Sequence, residues 1–227
     1  MSKKLAGILV GLVFTLSASV AQAVLLSDLL NGDTITVSDK VFSNWVLNGN
    51  TGNVSPDLGQ IEVTGLANDP LNPGLVFFGN DQLSTFGTDF IALFIDFNVS
   101  TVDSSVRIKD NSLSMDTFTF AGTGGYIEID EVIADVAGAF LGGKTVLADN
   151  LAGIFDLFDL AEFEPQSSIS VSMGINIGGD GAEDTVNLER FVMHFSQVSV
   201  PEPTTLALMG LGLVGIGYRR HSSKKVA

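Results

Sequence analysis

The 227-residue sequence contains no cysteine, one tryptophan, two tyrosines and two histidines. Without cysteine the chain can form neither a disulfide framework nor a thiolate zinc site, so an apolar core has to stabilise the fold. His194 is the only histidine before residue 200, and no serine lies in a Gly-x-Ser-x-Gly sequence. A nucleophilic triad needs a base beside the nucleophile, and therefore we expect no enzyme and no catalytic residue.

Basic side chains are also scarce in the middle of the chain. Only five of the 11 Lys and Arg residues, but 25 of the 26 Asp and Glu residues, lie from Val24 to Val200, which gives this part a formal charge of −20. Such a surface repels nucleic acid, which is therefore excluded as a partner. The other basic residues lie near the two chain ends, beside uncharged apolar runs.

The amino-terminal run has the order of a secretory signal peptide. Lys3 and Lys4 precede the apolar run from Leu5 to Val20, and Ala21-Gln22-Ala23 supplies the small residues that signal peptidase accepts. We expect signal peptidase to remove residues 1–23, so that the exported chain begins at Val24. The alternative is an uncleaved membrane anchor.

The carboxyl-terminal segment, residues 201–227, combines a short motif, an apolar span and a basic end. Pro201-Glu202-Pro203 precedes the uncharged run from Thr204 to Tyr218, and Arg219-Arg220 follows. As a helix these residues would span about 23 Å of a bilayer core that is about 30 Å thick. The pattern predicts one short transmembrane helix with a basic stop. The alternative is a buried core helix with a basic end.

In this order, the motif, span and basic stop resemble the PEP-CTERM sorting signal of exported bacterial proteins, although only the tail carries the resemblance. The resemblance implies processing by an exosortase-like enzyme. It also implies transient anchoring in the inner membrane of a Gram-negative-type bacterium, followed by transfer to the cell surface or extracellular matrix. Proteins sorted in this way accompany exopolysaccharide and biofilm production, and this context is implied here too.

Residues 24–200 show the period-two alternation of β-strands, separated by Gly, Asn and Asp turns. The number of strands and their irregular turns predict one all-β domain, a β-sandwich of the jelly-roll type. An immunoglobulin-like sandwich is the alternative.

Four segments of this domain carry more detailed expectations. Asp89 to Ser100 is predicted as a central strand that starts buried on both faces and emerges to solvent along one. Asn111-Ser112 is expected to interrupt a strand. Residues 132–163 favour strands over helix because of their glycines. Thr185 to Val200 changes its apolar phase, which suggests a bulge or a switch between sheets.

Carboxylates in loops raise the question of calcium, which prefers oxygen ligands. Two acidic clusters could supply such ligands, and for both the alternative is solvated surface charge. We predict no cofactor and no metal site, with calcium as an alternative. The two clusters are Asp180, Glu183 and Asp184, and Asp156, Asp159, Glu162 and Glu164.

Carbohydrate binding would need aromatic side chains on a sheet face, and Trp45 and Tyr126 are the only Trp and Tyr residues between the two ends. The abundant Phe residues are expected to pack in the core. The sequence therefore favours a non-catalytic envelope or extracellular-matrix protein. The alternative is a polysaccharide-binding module, with or without calcium, and a hydrolase that uses paired carboxylates is a third class.

Overall fold

The computed structural model describes residues 23–200. Ala21, the Pro201-Glu202-Pro203 motif, the predicted span Thr204 to Tyr218 and Arg219-Arg220 lie outside the described residues. Within residues 23–200, no helix is long and apolar enough to cross a membrane.

The described chain consists of short strands and one five-residue helix, as the alternation of the sequence predicts. The strands and helix are β1 (Ala23–Leu25), α1 (Leu26–Leu30), β2 (Ile35–Val37), β3 (Lys40–Asn50), β4 (Glu62–Leu66), β5 (Gly74–Phe78), β6 (Ser84–Phe86), β7 (Phe90–Thr101), β8 (Val106–Ala121), β9 (Tyr126–Asp135), β10 (Phe140–Asp149), β11 (Ile154–Asp156), β12 (Phe158–Gln166), β13 (Ser168–Gly178), β14 (Thr185–His194) and β15 (Gln197–Ser199).

The strands form two sheets, and every pairing between strands is antiparallel. The first sheet has the order β1-β4-β5-β14-β8-β12, with β15 also on β8 and β6 also on β14. The second sheet has the order β11-β10-β9-β13-β7-β3-β2. One apolar core lies between them, which confirms the all-β sandwich. The jelly-roll arrangement stays a prediction.

β7 shows how the alternating sequence produces the core. Its inward side chains, Ile91, Leu93, Ile95, Phe97 and Val99, are fully buried against the first sheet. The expectation that β7 starts buried on both faces is wrong, because Phe90 and Phe94 on the opposite face are 40% and 39% exposed. No third layer of described residues covers that face of the second sheet.

Aromatic rings from both sheets meet in the core at β3. Within the second sheet, Trp45 stacks on Phe97 with ring centroids 4.4 Å apart, and within the first sheet Phe77 stacks on Phe191 at 4.6 Å. Trp45 contacts Phe77 across the two sheets, with centroids 6.3 Å apart. A bulge at Asn44, where φ is +56°, shifts the pairing of β3 with β7. This shift changes the face on which the side chains point, so that both Phe42 and Trp45 are buried.

Three further predictions from the sequence concern where strands continue, form or shift register. Asn111-Ser112 does not interrupt a strand, because β8 continues through it and buries Asn111. The region 132–163 forms strands, as predicted. The phase change after Leu188 is a bulge rather than a switch between sheets, since β14 and β15 both pair with β8.

Candidate functional site

Of the processing residues identified from the sequence, only Ala23 lies in the described chain. It begins β1, is exposed, and pairs with Thr64 of β4. Val24 and Leu25 pair with Val63 and Glu62. The predicted cleavage site therefore lies at the start of an edge strand.

The Asp180, Glu183 and Asp184 cluster is organised around the backbone. The Asp184 carboxylate accepts hydrogen bonds from the N–H groups of Thr123 at 2.9 Å, Gly124 at 3.3 Å, Gly181 at 2.7 Å and Asp180 at 3.3 Å. The Thr123 bond is the largest cause of a lowered pKa for Asp184, and the other three act in the same direction. This carboxylate holds two loops together and uses both of its oxygens to do so.

The glycines around Asp184 make this arrangement possible. A Cβ atom at Gly122 would lie 2.1 Å from Asp184 Oδ1, and Gly122 has a φ of +98°, which other residues rarely adopt. Asp180 accepts a further N–H bond, from Gly125 at 2.9 Å, while Glu183 is exposed.

The second acidic cluster is spread over β11 and β12. Asp159 accepts an N–H bond from Thr145 at 2.9 Å, whereas Asp156, Glu162 and Glu164 are exposed. In the part of the chain that the structure describes, no group of three or more His, Asp or Glu side chains is placed to hold a metal ion. Calcium binding stays an untested alternative.

Two residues that the sequence singled out have structural positions. Trp45 is 5% exposed and stacks in the core, so it cannot present its ring to a ligand. His194 is half-buried, and its Nδ1 lies 3.0 Å from the carbonyl oxygen of Asn72.

A groove of about 390 Å³ crosses the outer face of the second sheet. It follows β13, whose outward residues are small, between larger side chains on β7 and β9. We call this groove the β13 trough. It is lined by Ser172, Met173 and Gly174 of β13, Asn48 of β3, Phe94 and Asp96 of β7, and Asp130 and Val132 of β9.

Two aromatic rings lie over glycines of β13, Phe94 in the trough and Tyr126 further along the strand. Phe94 pairs with Gly174, and a Cβ atom on Gly174 would come within 3.1 Å of its ring. Gly49, on the other side, would approach the same ring at 3.2 Å. Tyr126 covers Gly178 in the same way, since a Cβ atom on Gly178 would lie 2.7 Å from the Tyr126 ring. Any larger residue at these glycines would displace the rings, so the glycines set the ring positions.

Polar groups line the rest of the trough. Asn48 Nδ2 donates a hydrogen bond to Asp96, and Thr145 Oγ1 donates one to Asp130 at 2.8 Å. Glu128 forms a side-chain hydrogen bond with Asp130, and this bond is the largest cause of its raised pKa, followed by burial and by the charge of Asp130. Burial, Glu128 and Asp180 also raise the pKa of Tyr126, which keeps its hydroxyl protonated.

A second groove, of about 400 Å³, lies on the outer face of the first sheet. Its walls include Phe78, Glu189 and Arg190. The Arg190 guanidinium lies 5.9 Å from the centre of the Phe78 ring and 3.0 Å from Asp116. This cation of the second groove therefore already has partners within the protein. The β13 trough has an exposed aromatic ring beside an open floor of small residues, so it is the better candidate for a binding site.

The described chain is thus an antiparallel β-sandwich with an aromatic trough across one outer face. At its carboxyl end, residues 199–220 match the profile of the PEP-CTERM protein-sorting motif, so the chain carries this motif. The motif indicates an exported, sorted protein and implies processing by an exosortase-type enzyme. A comparison with curated proteins found no match.

Solved β-sandwich structures are similar to the chain at low identity. The carbohydrate-binding module TmCBM61, in complex with β-1,4-galactotriose, is 12% identical over 68% of this chain and 88% of its own, with a TM-score of 0.27. The mannan-recognising module TmCBM27 is 11% identical over 78% and 95%, with a TM-score of 0.32. A DUF4465 family protein from Bacteroides caccae is 13% identical over 65% and 98%, with a TM-score of 0.23. The candidate site is therefore defined by this chain's own residues.

The trough was not identified from the sequence, although its elements were visible there. The outward residues of β13 read Ser168, Ser170, Ser172, Gly174, Asn176 and Gly178, a run of small side chains in a strongly alternating strand. Such a run, with large residues on both neighbouring strands, leaves a depression. The neighbours of β13 are β7 and β9, which are distant from it in sequence, and the pairing had to be known first.

Proposed function

We propose that this protein is a non-catalytic exported protein that binds a neutral polysaccharide in the β13 trough. In this proposal the helix Thr204 to Tyr218 and the Arg219-Arg220 stop hold the protein briefly in the inner membrane. Exosortase-type processing at the motif then passes it to the cell surface or extracellular matrix, where exopolysaccharide and biofilm supply the ligand.

The observation that carries the binding proposal is the trough itself. An open depression of about 390 Å³ has room for a short stretch of a polymer. The ring of Phe94, 39% exposed, offers an apolar surface to the C–H face of a sugar. Asp96 and Asp130, which also line the depression, offer carboxylate oxygens as acceptors for sugar hydroxyl groups.

The charge of the trough selects the class of polysaccharide. Asp96 and Asp130 both line the trough, in a domain whose formal charge is −20. A uronate or sulfated polymer would be repelled, whereas neutral hydroxyl groups donate favourably to carboxylates. We therefore expect glucans, mannans or galactans rather than acidic polymers.

Glycan-array binding, followed by calorimetry, tests the proposal with the exported protein purified from its producing cells. We expect a neutral polysaccharide to bind, and Phe94→Ala to weaken it about tenfold, equivalent to about 1.4 kcal/mol. The matched control is Phe86→Ala, because Phe86 is 60% exposed on β6 of the other sheet.

Three outcomes would contradict the proposal. Equal losses in both variants would place the ligand elsewhere or make the effect non-specific. Binding of acidic polymers alone would contradict the charge argument. Release of reducing sugar from a bound polymer would identify a hydrolase.

A further inference from the structure

Three polar side chains meet in the core between the two sheets, on the face of the second sheet opposite the trough. Lys144 of β10 is 3% exposed, Glu131 of β9 is 1% exposed, and Asn111 of β8 is fully buried. Lys144 and Glu131 are cross-strand partners in the second sheet, while Asn111 belongs to the first. An ion pair buried this completely is costly, and a hydrophobic pair would serve the core as well.

The contacts among the three residues are specific. Lys144 Nζ donates hydrogen bonds to Glu131 Oε2 and to Asn111 Oδ1. Asn111 Nδ2 donates to the carbonyl oxygen of His194 at 3.1 Å, which turns the carbonyl side of the amide towards the lysine. Glu131 Oε1 is buried and has no hydrogen-bond partner. A buried, unpartnered carboxyl oxygen beside an amine and an amide needs an explanation.

The environment favours uncharged forms of the pair. Burial lowers the pKa of Lys144, although Glu131 opposes this, and burial raises the pKa of Glu131 against the opposing effect of Lys144. Transfer of one proton from the ammonium group to the carboxylate makes both groups neutral. The amine then has a free lone pair next to the amide carbonyl of Asn111, where water cannot compete.

We infer that Lys144 and Asn111 form an intramolecular isopeptide bond, with Glu131 as the proton-transferring residue. Lys144 Nζ attacks Cγ of Asn111 and gives a tetrahedral intermediate. Glu131 delivers its proton to Nδ2 and takes one from Nζ, the Cγ–Nδ2 bond breaks, and ammonia leaves. A primary amine and a primary amide become a secondary amide and ammonia, so the atoms balance without any oxidant or reductant.

The bond would join the two sheets covalently. It would connect β10 of the second sheet to β8 of the first and close the loop of residues 111–144. A chain with no cysteine cannot use a disulfide for this purpose. The isopeptide bond also removes the buried charges, since the product amide is neutral and Glu131 ends protonated.

Tryptic mapping of the full chain, expressed with its export signals and purified in its folded form, tests this inference directly. Without the bond, trypsin cuts after Lys109, Lys144 and Arg190 and releases residues 110–144 and 145–190. With the bond, Lys144 cannot be cut, and residues 110–190 appear as one fragment that is lighter than its sequence by about 17 Da, the mass of ammonia.

Variants identify the chemistry. Asn111→Ala removes the carbonyl group, and Glu131→Gln removes the proton transfer; both should restore cleavage after Lys144 and the full mass. Asn98→Ala, on the outer face of β7, is the control and should keep the linked fragment. If Glu131→Gln does not fold, the wild-type fragment and Asn111→Ala remain decisive.

Two results would overturn the inference. Folded wild-type protein that is cut after Lys144 and has its full mass has no isopeptide bond. A loss of about 17 Da with normal cleavage after Lys144 would instead show a succinimide at Asn111-Ser112.

Discussion

At the scale of single residues, Asp184 shows how one carboxylate can organise two loops. Its oxygens accept N–H bonds from the turn after β8 and from the turn after β13. The loops it joins flank one end of the second sheet, close to Tyr126 and the trough. The sequence suggested a metal ion at this position as an alternative, but the carboxylate oxygens accept hydrogen bonds from backbone N–H groups.

We expect Asp184→Asn to lower the Tm by several degrees at neutral pH. The amide replaces one acceptor oxygen with an NH₂ group, which faces N–H donors that it cannot satisfy. Because the pKa of Asp184 is lowered in the folded state, its stabilisation is present above the unfolded pKa and is lost as the pH falls through the folded pKa. The difference in Tm between wild type and variant should therefore shrink on acidification.

Thermal unfolding followed by circular dichroism between neutral and acidic pH measures this effect. Glu183→Gln is the control, since Glu183 is an exposed neighbour in the same loop. A constant difference in Tm at all pH values would contradict the linkage argument.

At the scale of secondary structure, β7 is the strand on which the second sheet depends. It pairs with β13 along eleven residues and with β3 on its other side. All five of its inward residues are fully buried, so a charged side chain on its inner face would destabilise the fold strongly.

We expect Ile95→Asp to destabilise the domain by about 4 kcal/mol or more, because it places a carboxylate in the core without a partner. Asn98→Asp, on the outer face of the same strand, should change the free energy of unfolding by less than about 0.5 kcal/mol. Urea denaturation of both variants is the measurement. Similar midpoints for the two variants would mean that the face assignment of β7 is wrong.

At the scale of the whole molecule, the domain lies between the predicted signal peptide and the PEP-CTERM sorting motif. The predicted signal peptidase site is next to β1, and the match to the sorting motif begins at residue 199, the last residue of β15. The sandwich therefore ends where the sorting segment starts, with little linker between them.

We predict that the exported protein begins at Val24. Removal of Ala23 costs β1 one pairing but leaves those of Val24 and Leu25, so the edge strand can persist. Ala23→Arg should block processing, because the signal peptidase pocket accepts small side chains. Mass spectrometry of the exported form decides the matter, and an intact amino terminus from Met1 would disprove the assignment.

We predict that Glu202→Ala leaves the protein inserted but unprocessed. Proline fixes its own φ and disfavours helix at the preceding residue, so the sequence predicts an extended motif with Glu202 as its only charge, and an enzyme would recognise shape and carboxylate together. Deletion of residues 219–227 should instead loosen membrane retention with the motif intact. Fractionation in a host with the processing enzyme separates these cases; a Glu202→Ala variant that matures like wild type would reduce the tail to an anchor.

The sequence by itself determined much of what depends on neighbours along the chain, although the strand break predicted at Asn111-Ser112 was wrong. Alternation in β7 and β13 predicted their faces, because successive residues of a strand point to opposite sides. The sorting motif could also be identified from the sequence, because Pro201-Glu202-Pro203, the apolar span and Arg219-Arg220 follow one another directly along the chain.

Only the tertiary structure decided which distant residues meet. The bulge at Asn44, the trough formed by β7, β13 and β9, and the meeting of Lys144, Glu131 and Asn111 all depend on strand pairing and sheet packing. The sequence predicts neither Lys144 nor Asn111 in the core: Asn111 was expected to interrupt a strand, and Lys144 entered only the charge count. Their burial follows from the packing of β10 against β8, a contact between the two sheets that no local pattern encodes.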